Sequence, residues 1–271
     1  MVRRSYEFKV LGHSIELHAY LEDGASGKDA VLIFPGGGYS DLSTEREGVA
    51  IANAYYSRGL NAFVLHYAVG TDYRYPSHLT DASFAISYLK AHSEELGIDR
   101  DRIFTVGFSA GGHLAGSTAI LHKDPEVLSY LGIEKGDNKP CGAILAYPVV
   151  SANTDTHEGS FRMLAGKPFA DITAEERNRL SLEANVDTDS APIFIWHTSN
   201  DNAVPVIGSL KLAEAYYSIG RTVTLHVYPY GVHGIALANE ETSCGNENWI
   251  EPLAQGWVDD SVRWIKAVKS Y

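Results

Sequence analysis

Ile103-Phe-Thr-Val-Gly107-Phe-Ser109-Ala-Gly111-Gly-His-Leu114 is the stretch on which the reading of this chain turns. Ile103 to Val106 is a short apolar run of strand character, and Gly112 to about Leu121 has the composition of a helix start. Between them stands Gly107-Phe-Ser109-Ala-Gly111. A serine pushed out on a sharp strand-to-helix turn adopts a strained backbone, and small residues two positions either side leave room for it. The same turn aims helix N-terminal N–H groups at the serine, where they stabilise negative charge. In a chain with 25 glycines such a pattern also arises by chance, with Ser109 as a plain helix cap. The surrounding sequence decides between the two readings.

Outward from this turn, apolar runs rich in β-branched and aromatic residues recur at Ala30 to Phe34, Ala62 to Leu65, Ala143 to Tyr147, Ile193 to Trp196 and Val223 to Tyr228. They read as buried parallel strands. Between them apolar residues fall at helical spacing: Val49, Ala52, Tyr56; Ala82, Ala85, Ile86, Leu89; Ile207, Leu210, Ala213, Tyr217; and Val258, Val262, Ile265, Val268. Alternating strand and helix predicts an α/β fold, a mostly parallel sheet flanked by helices on both faces. Residues 5 to 20 alternate instead, which predicts an antiparallel strand or pair at the N-terminal sheet edge. One domain is expected over residues 1–271, with a peripheral insertion at about 149–190 near the substrate mouth, where Thr173-Ala-Glu-Glu176 has a capping-box pattern.

Two further features answer what a nucleophilic serine needs. Phe34-Pro-Gly36-Gly37-Gly38-Tyr39 follows a predicted strand directly, and its glycines let backbone N–H groups approach an oxyanion closely. The expected donors are the N–H groups of Gly37, Gly38 and Ala110, with Gly36 serving the turn; a flexible turn is the plainer alternative. A serine hydroxyl also needs a base oriented by a carboxylate, in the chain order Ser, acid, His. Asp201 lies five residues past Trp196, and His233 five past Tyr228, each in a loop leaving the carboxyl end of a predicted strand. Among 11 histidines, His226 falls inside a strand, His197 at a strand end, and His113 on the helix behind Ser109. Asp187 and Asp189 precede the strand at Ile193 and emerge at its wrong end, and Asp155 is a weaker substitute for Asp201.

Composition removes other classes. With 34 acidic and 22 basic residues the net charge is -12, which disfavours nucleic acid and anionic membrane surfaces. No segment approaches a membrane span, and the two arginines near the start precede no apolar run, so no secretory signal is read. Two cysteines, Cys141 and Cys244, about a hundred positions apart, form no metal or redox pair. A cytoplasmic enzyme with free thiols, needing no metal or cofactor, is the expectation; a trimmed secreted protein reads the same way. A homo-oligomer stays open.

With these elements in order, the chain resembles the α/β-hydrolase superfamily over nearly its whole length. Within it, Pro35-Gly-Gly-Gly-Tyr39, Gly107-Phe-Ser-Ala-Gly-Gly-His-Leu114 and Trp196-His-Thr-x-x-Asp201-x-x-Val-Pro205 look like the bacterial acetylesterases associated with acetyl-xylan breakdown, some of which accept feruloyl esters. The resemblance implies Ser109, Asp201 and His233 as a triad. Pro35 stands where hormone-sensitive-lipase-like esterases carry a histidine, a departure from that subgroup. The Asp201 to His233 segment also resembles prolyl-oligopeptidase-type peptidases, which carry a large additional domain that this length does not accommodate. Tyr39, Tyr67 and Phe108 are expected around the acyl site. Trp249, in the long stretch from Ile235 to Gln255, either stacks on a sugar ring of the substrate or pins that loop to the body. The absence of an extended apolar lid points to a small acyl group such as acetyl, carried by a small-molecule or oligosaccharide ester. A non-catalytic binding protein on the same fold is the reading from another class.

Overall fold

The runs of Val, Ile, Leu and Phe that mark the strands are buried on both sides, as a sheet between two helical layers requires. The computed structural model describes residues 1–268. Its strands are β1 (Val2–Val10), β2 (His13–Leu21), β3 (Lys28–Phe34), β4 (Asn61–His66), β5 (Ile98–Phe108), β6 (Gly142–Ala146), β7 (Ile193–Thr198) and β8 (Val223–Tyr228). They form one eight-stranded sheet in the order β1-β2-β4-β3-β5-β6-β7-β8. From β4 to β8 all pairs are parallel. The N-terminal hairpin adds the antiparallel edge, β1 on β2 and β2 on β4.

The helices are α1 (Ala50–Tyr56), α2 (Ser77–Ala91), α3 (Ser93–Leu96), α4 (Ala110–Ile120), α5 (Pro125–Leu131), α6 (Glu158–Ala165), α7 (Ala174–Leu180), α8 (Ile207–Ser218), α9 (Glu240–Ser243) and α10 (Trp257–Ala267). Strand alternation divides the core. Ala30, Leu32 and Phe34 face the layer of α2 and α4, whereas Val31 and Ile33 face α1 and α10. A third cluster joins α4 and α8 over Leu145 and Ile195. None of the described helices is long and apolar enough to cross a membrane.

The predicted strands and helices are all present, with three differences. β8, expected to be buried, is part-exposed along its length because it is the edge of the sheet. The helical series Ile207, Leu210, Tyr217 is the exposed side of α8; the residues it buries are Gly208, Ser209, Leu212 and Tyr216. Because β8 is an edge strand, the sheet beneath α8 ends early and only a narrow stripe of that helix is covered. His197 lies inside β7 rather than at its end. In the 149–190 segment, Thr173 and Glu176 form the reciprocal capping box at the start of α7.

The chain leaves β3 toward β4 on one side and reaches β5 on the other, so the sheet reverses direction at β3. Open α/β sheets place their sites at the carboxyl ends of strands flanking such a reversal. Here those ends carry the glycine loop after β3 and Ser109 after β5.

Candidate active site

Ser109 occupies the turn between β5 and α4 with φ 55° and ψ −115°, a backbone conformation that a non-glycine residue rarely adopts. Hydrogen bonds hold it there. Its N–H donates to the Ala146 carbonyl at 3.0 Å, and its carbonyl accepts from the N–H groups of His113 and Val149. A side chain at Gly107 would collide with the Gly111 carbonyl, and one at Gly111 with the Phe34 carbonyl and, at 2.6 Å, with that of Pro35. The two glycines are thus fixed by backbone contact on both sides of the turn.

Three side chains from three loops converge. Ser109 Oγ and His233 Nε2 are 2.8 Å apart, and His233 Nδ1 lies 2.7 Å from Asp201 Oδ2. The second carboxylate oxygen of Asp201 accepts the N–H groups of Ala203 and Val204 at 3.0 and 2.9 Å. Burial opposes ionisation of Asp201, yet hydrogen bonds from His197 and His233 and the imidazole charge outweigh it, holding the carboxyl well below its usual range. His197 is a partner of that carboxylate, 3.3 Å from Oδ2, anchored at its own nitrogens by Ser209 Oγ and the Val204 carbonyl.

The glycine loop packs against Ser109. A Cβ at Gly36 would stand 3.1 Å from that of Ser109 and 2.7 Å from the Phe108 carbonyl. Gly36 donates its N–H to Glu47 Oε2 at 2.9 Å, while the Gly37 carbonyl accepts from Ser40 and Asp41. Among the described residues, the N–H groups of Gly37, Gly38 and Ala110 donate to no protein acceptor, and Ala110 begins α4, where the first N–H groups have no intrahelical partner. Gly37 and Gly38 line the same cavity as Ser109 and His233, about 370 Å³ in volume; its other walls are Ser40, Ser43, Arg46, Glu47, His157, Ala203 and Gly234.

Three aromatics expected at the acyl site are elsewhere. Tyr39, with φ 62°, turns its ring inward, where its hydroxyl hydrogen-bonds His113 Nδ1 at 2.8 Å. Tyr67 is buried and donates to the Pro35 carbonyl at 2.6 Å, bracing the glycine loop from behind. Phe108 falls on the α1/α10 face of β5 and packs on Tyr147 and Trp257. Trp249 is one shell out from the cavity: the Arg46 guanidinium stacks on it, 3.6 Å from the ring centroid, and donates to the Gly234 and Thr242 carbonyls. Trp249 therefore pins the 235–255 stretch to the body through Arg46, and its ring is not part of the cavity wall.

The sequence reading missed Glu47, Tyr147 and His157. Glu47 is buried on the π-helical turn Thr44–Val49 that precedes α1. Its carboxylate joins two loops: Oε2 takes the Gly36 N–H, and Oε1 takes the Tyr147 hydroxyl at 2.7 Å. Tyr147 in turn accepts the Ala236 N–H and sets its ring edge-on to His233, with centroids 5.1 Å apart. Burial raises the Glu47 carboxyl above its usual range; the Tyr147 hydrogen bond, the His233 charge and the Gly36 N–H work against that rise. His157 caps α6, receiving the Ser160 N–H, and its imidazole is held below the usual range by burial and by His233. In sequence, Glu47 sits in the charged run Thr44-Glu-Arg-Glu47, which looks like a solvated helix face. Only the buried glycine loop reveals it.

A reversing parallel sheet, a strained serine on the turn after β5, and an imidazole and carboxylate from the loops after β8 and β7 define an α/β-hydrolase of the serine-esterase class. The chain belongs to the BD-FAE family, whose model matches residues 17–216. It is 36% identical over 237 residues to endo-1,4-beta-xylanase B of Butyrivibrio fibrisolvens, covering 84% of this chain and 36% of that protein. The chain spans about half or less of the length of the first curated relatives it matches. Among solved structures, the carboxylesterase Cest-2923 from Lactobacillus plantarum WCFS1 matches 98% of each chain with a TM-score of 0.85 and 26% identity. An acetyl ester-xyloside bifunctional hydrolase from Caldicellulosiruptor lactoaceticus matches 94% of this chain and 89% of its own, with a TM-score of 0.80 and 32% identity.

Proposed function

We propose that the chain hydrolyses short-chain esters of carbohydrates, acetylated xylo-oligosaccharides in particular, with Ser109 as nucleophile, His233 as general base and acid, and Asp201 as the group that orients the imidazole. The observation that carries this reading is the unbroken Ser109–His233–Asp201 hydrogen-bond chain at the floor of a cavity. His233 Nε2 takes the Ser109 proton as Oγ adds to the ester carbonyl. The N–H groups of Gly37, Gly38 and Ala110 receive the developing oxyanion, a stabilisation of which each donor typically supplies ~10²- to 10³-fold in turnover. Collapse returns the proton to the departing alcohol and leaves an acyl-Ser109; water then adds by the same route, releasing acid and free serine.

The cavity wall supports a small acyl group and a polar alcohol. Short side chains, Ser40, Ser43 and Ala203, line it with Arg46 and His157, and it contains no long aliphatic chain and no phenyl or indole ring. A feruloyl ring would find no phenyl or indole ring to stack on there, which favours acetyl. The name of the Caldicellulosiruptor neighbour, an acetyl ester-xyloside hydrolase, points the same way. Ser109→Ala is the test, assayed with p-nitrophenyl acetate and acetylated xylo-oligosaccharides beside butyryl and feruloyl esters. The expected result is loss of turnover of at least 10³-fold on every substrate, and a wild-type preference for acetyl. A folded variant with unchanged turnover would overturn the mechanism; a wild type that prefers feruloyl esters would overturn the substrate. Fluorophosphonate labelling of the wild type at Ser109 separates an enzyme from a binding protein on this fold.

A further inference from the structure

Away from the cavity, β2 and β4 bring together three side chains that the proposed chemistry does not use. The antiparallel register sets Glu16 directly opposite His66, and Glu16 and His18, two apart on β2, share the pleat face that carries His66. One ligand atom from each, counting Glu16, His18 and His66, lies within 4.8 Å of the others. Glu16 Oε2 is 3.1 Å from His18 Nε2 and 3.9 Å from His66 Nδ1, and the two imidazoles overlap with centroids 4.4 Å apart. A tetrahedral ion with ligand bonds of ~2.0–2.1 Å needs donor atoms roughly 3.3 Å apart. Small side-chain rotations on a fixed strand pair reach that spacing.

We infer that Glu16, His18 and His66 form a binding site for a divalent transition-metal cation of the zinc class, outside the wall of the Ser109 cavity. Two imidazoles and one carboxylate are a borderline donor set that suits zinc, nickel or copper better than magnesium or calcium. Solvent reaches all three side chains, so water completes the coordination. A second observation singles out His66. Its Nε2 is buried with no hydrogen-bond partner, so the solvent-facing Nδ1 is the nitrogen left to do electrostatic work.

The site joins the N-terminal hairpin to the parallel sheet, because β2 is the strand that pairs with β4. Its role is that of a staple: occupancy raises stability without entering the reaction. The experiment uses the full chain, free of any affinity tag and treated with chelator, titrated with zinc chloride by calorimetry, with cobalt(II) absorbance as a geometric readout. The wild type is expected to bind one equivalent and to gain Tm with zinc. The double variant H18A/H66A should bind at least tenfold more weakly and lose the Tm gain, with p-nitrophenyl acetate turnover unchanged. The single variant Glu16→Gln, which keeps both imidazoles, provides a second reading should the double variant fold poorly, and it too should weaken zinc binding at least tenfold. Absence of zinc binding by the wild type, or equal binding by Glu16→Gln and wild type, would overturn the inference.

Discussion

Replacing Glu47 by alanine should damage both stability and turnover, although Glu47 is not expected to touch the scissile bond. The carboxylate is the acceptor for two donors in the interior, the Gly36 N–H at 2.9 Å and the Tyr147 hydroxyl at 2.7 Å. Alanine leaves both unpaired. Each orphaned buried donor costs about 1–3 kcal/mol, so Glu47→Ala should lose roughly 2–6 kcal/mol. At roughly 2–4 °C per kcal/mol for a chain of this size, the melting temperature should drop several degrees or more. The effect on catalysis follows from what the two donors belong to. Gly36 opens the glycine loop, and Tyr147 both takes the Ala236 N–H and borders the His233 ring, so a shift of ~1 Å at either should lower kcat by ~10².

Glu47→Gln is the sharper variant. Its carbonyl can accept from Gly36, but its NH₂ then meets a Tyr147 oxygen that already accepts from Ala236. Its losses should fall between wild type and Glu47→Ala. In a double-mutant cycle with Tyr147→Phe, the two positions should be non-additive by about 0.5–3 kcal/mol. Urea unfolding and steady-state kinetics on p-nitrophenyl acetate measure both effects. Were Glu47→Ala to keep the wild-type melting temperature and kcat, the carboxylate would not be the tie between the glycine loop and the histidine loop.

Two other tests are independent of it. His113 is fully buried between the Tyr39 hydroxyl and the Leu180 carbonyl, and burial lowers its pKa from 6.5 to about 4, so its neutral form contributes stability that is complete above pH 6.5 and is lost as the pH falls toward 4. Histidine-labelled NMR should find its midpoint near pH 4, and a midpoint above 6 would show that the site is hydrated. Gly111→Ala pushes a methyl group into the Phe34 and Pro35 carbonyls and should give a protein at least 3 kcal/mol less stable with at least tenfold less turnover. Unaltered unfolding in urea would contradict that packing.

The fold was readable from the chain because buried parallel strands declare themselves as apolar runs, and each of β3 to β7 contains one, whereas β8, Val-Thr-Leu-His-Val-Tyr, alternates as a part-exposed edge strand does. The residues now seen in contact, Ser109, Asp201 and His233, were readable because Ser109 directly follows one strand and Asp201 and His233 lie in the loops that leave two others. Side-chain direction was harder. Phe108 adjoins Ser109 in sequence, yet the pleat sends it to the opposite face; Tyr39 follows Gly38, but its left-handed backbone turns the ring into the core. Nearness along the chain misled at both positions. Glu47 was invisible for a different reason: its partners are a loop N–H 11 positions earlier and a hydroxyl 100 positions later, and no local period encodes such a contact. Likewise the cover over α8 depends on where the sheet stops, which is a property of topology.

The parallel register of β3 on β5 pairs Phe34 with Gly107, so the glycine loop and the Ser109 turn spring from neighbouring rungs of one ladder. Their separation is therefore set first by the strand spacing of ~4.8 Å, a constant of the sheet. The 149–190 and 235–255 stretches are anchored to that frame at their roots, where the Val149 N–H donates to the Ser109 carbonyl and the Ala236 N–H to the Tyr147 hydroxyl, and farther out His157 lines the mouth and Trp249 stacks on Arg46. Lengthening or trimming either one beyond Val149 and Ala236 would reshape what enters the cavity while the distance from Ser109 to the glycine loop stays the same. In this architecture the mouth can be exchanged only outside those two anchors, and grafting a relative's mouth segments that keep both hydrogen bonds is a route to new ester preferences.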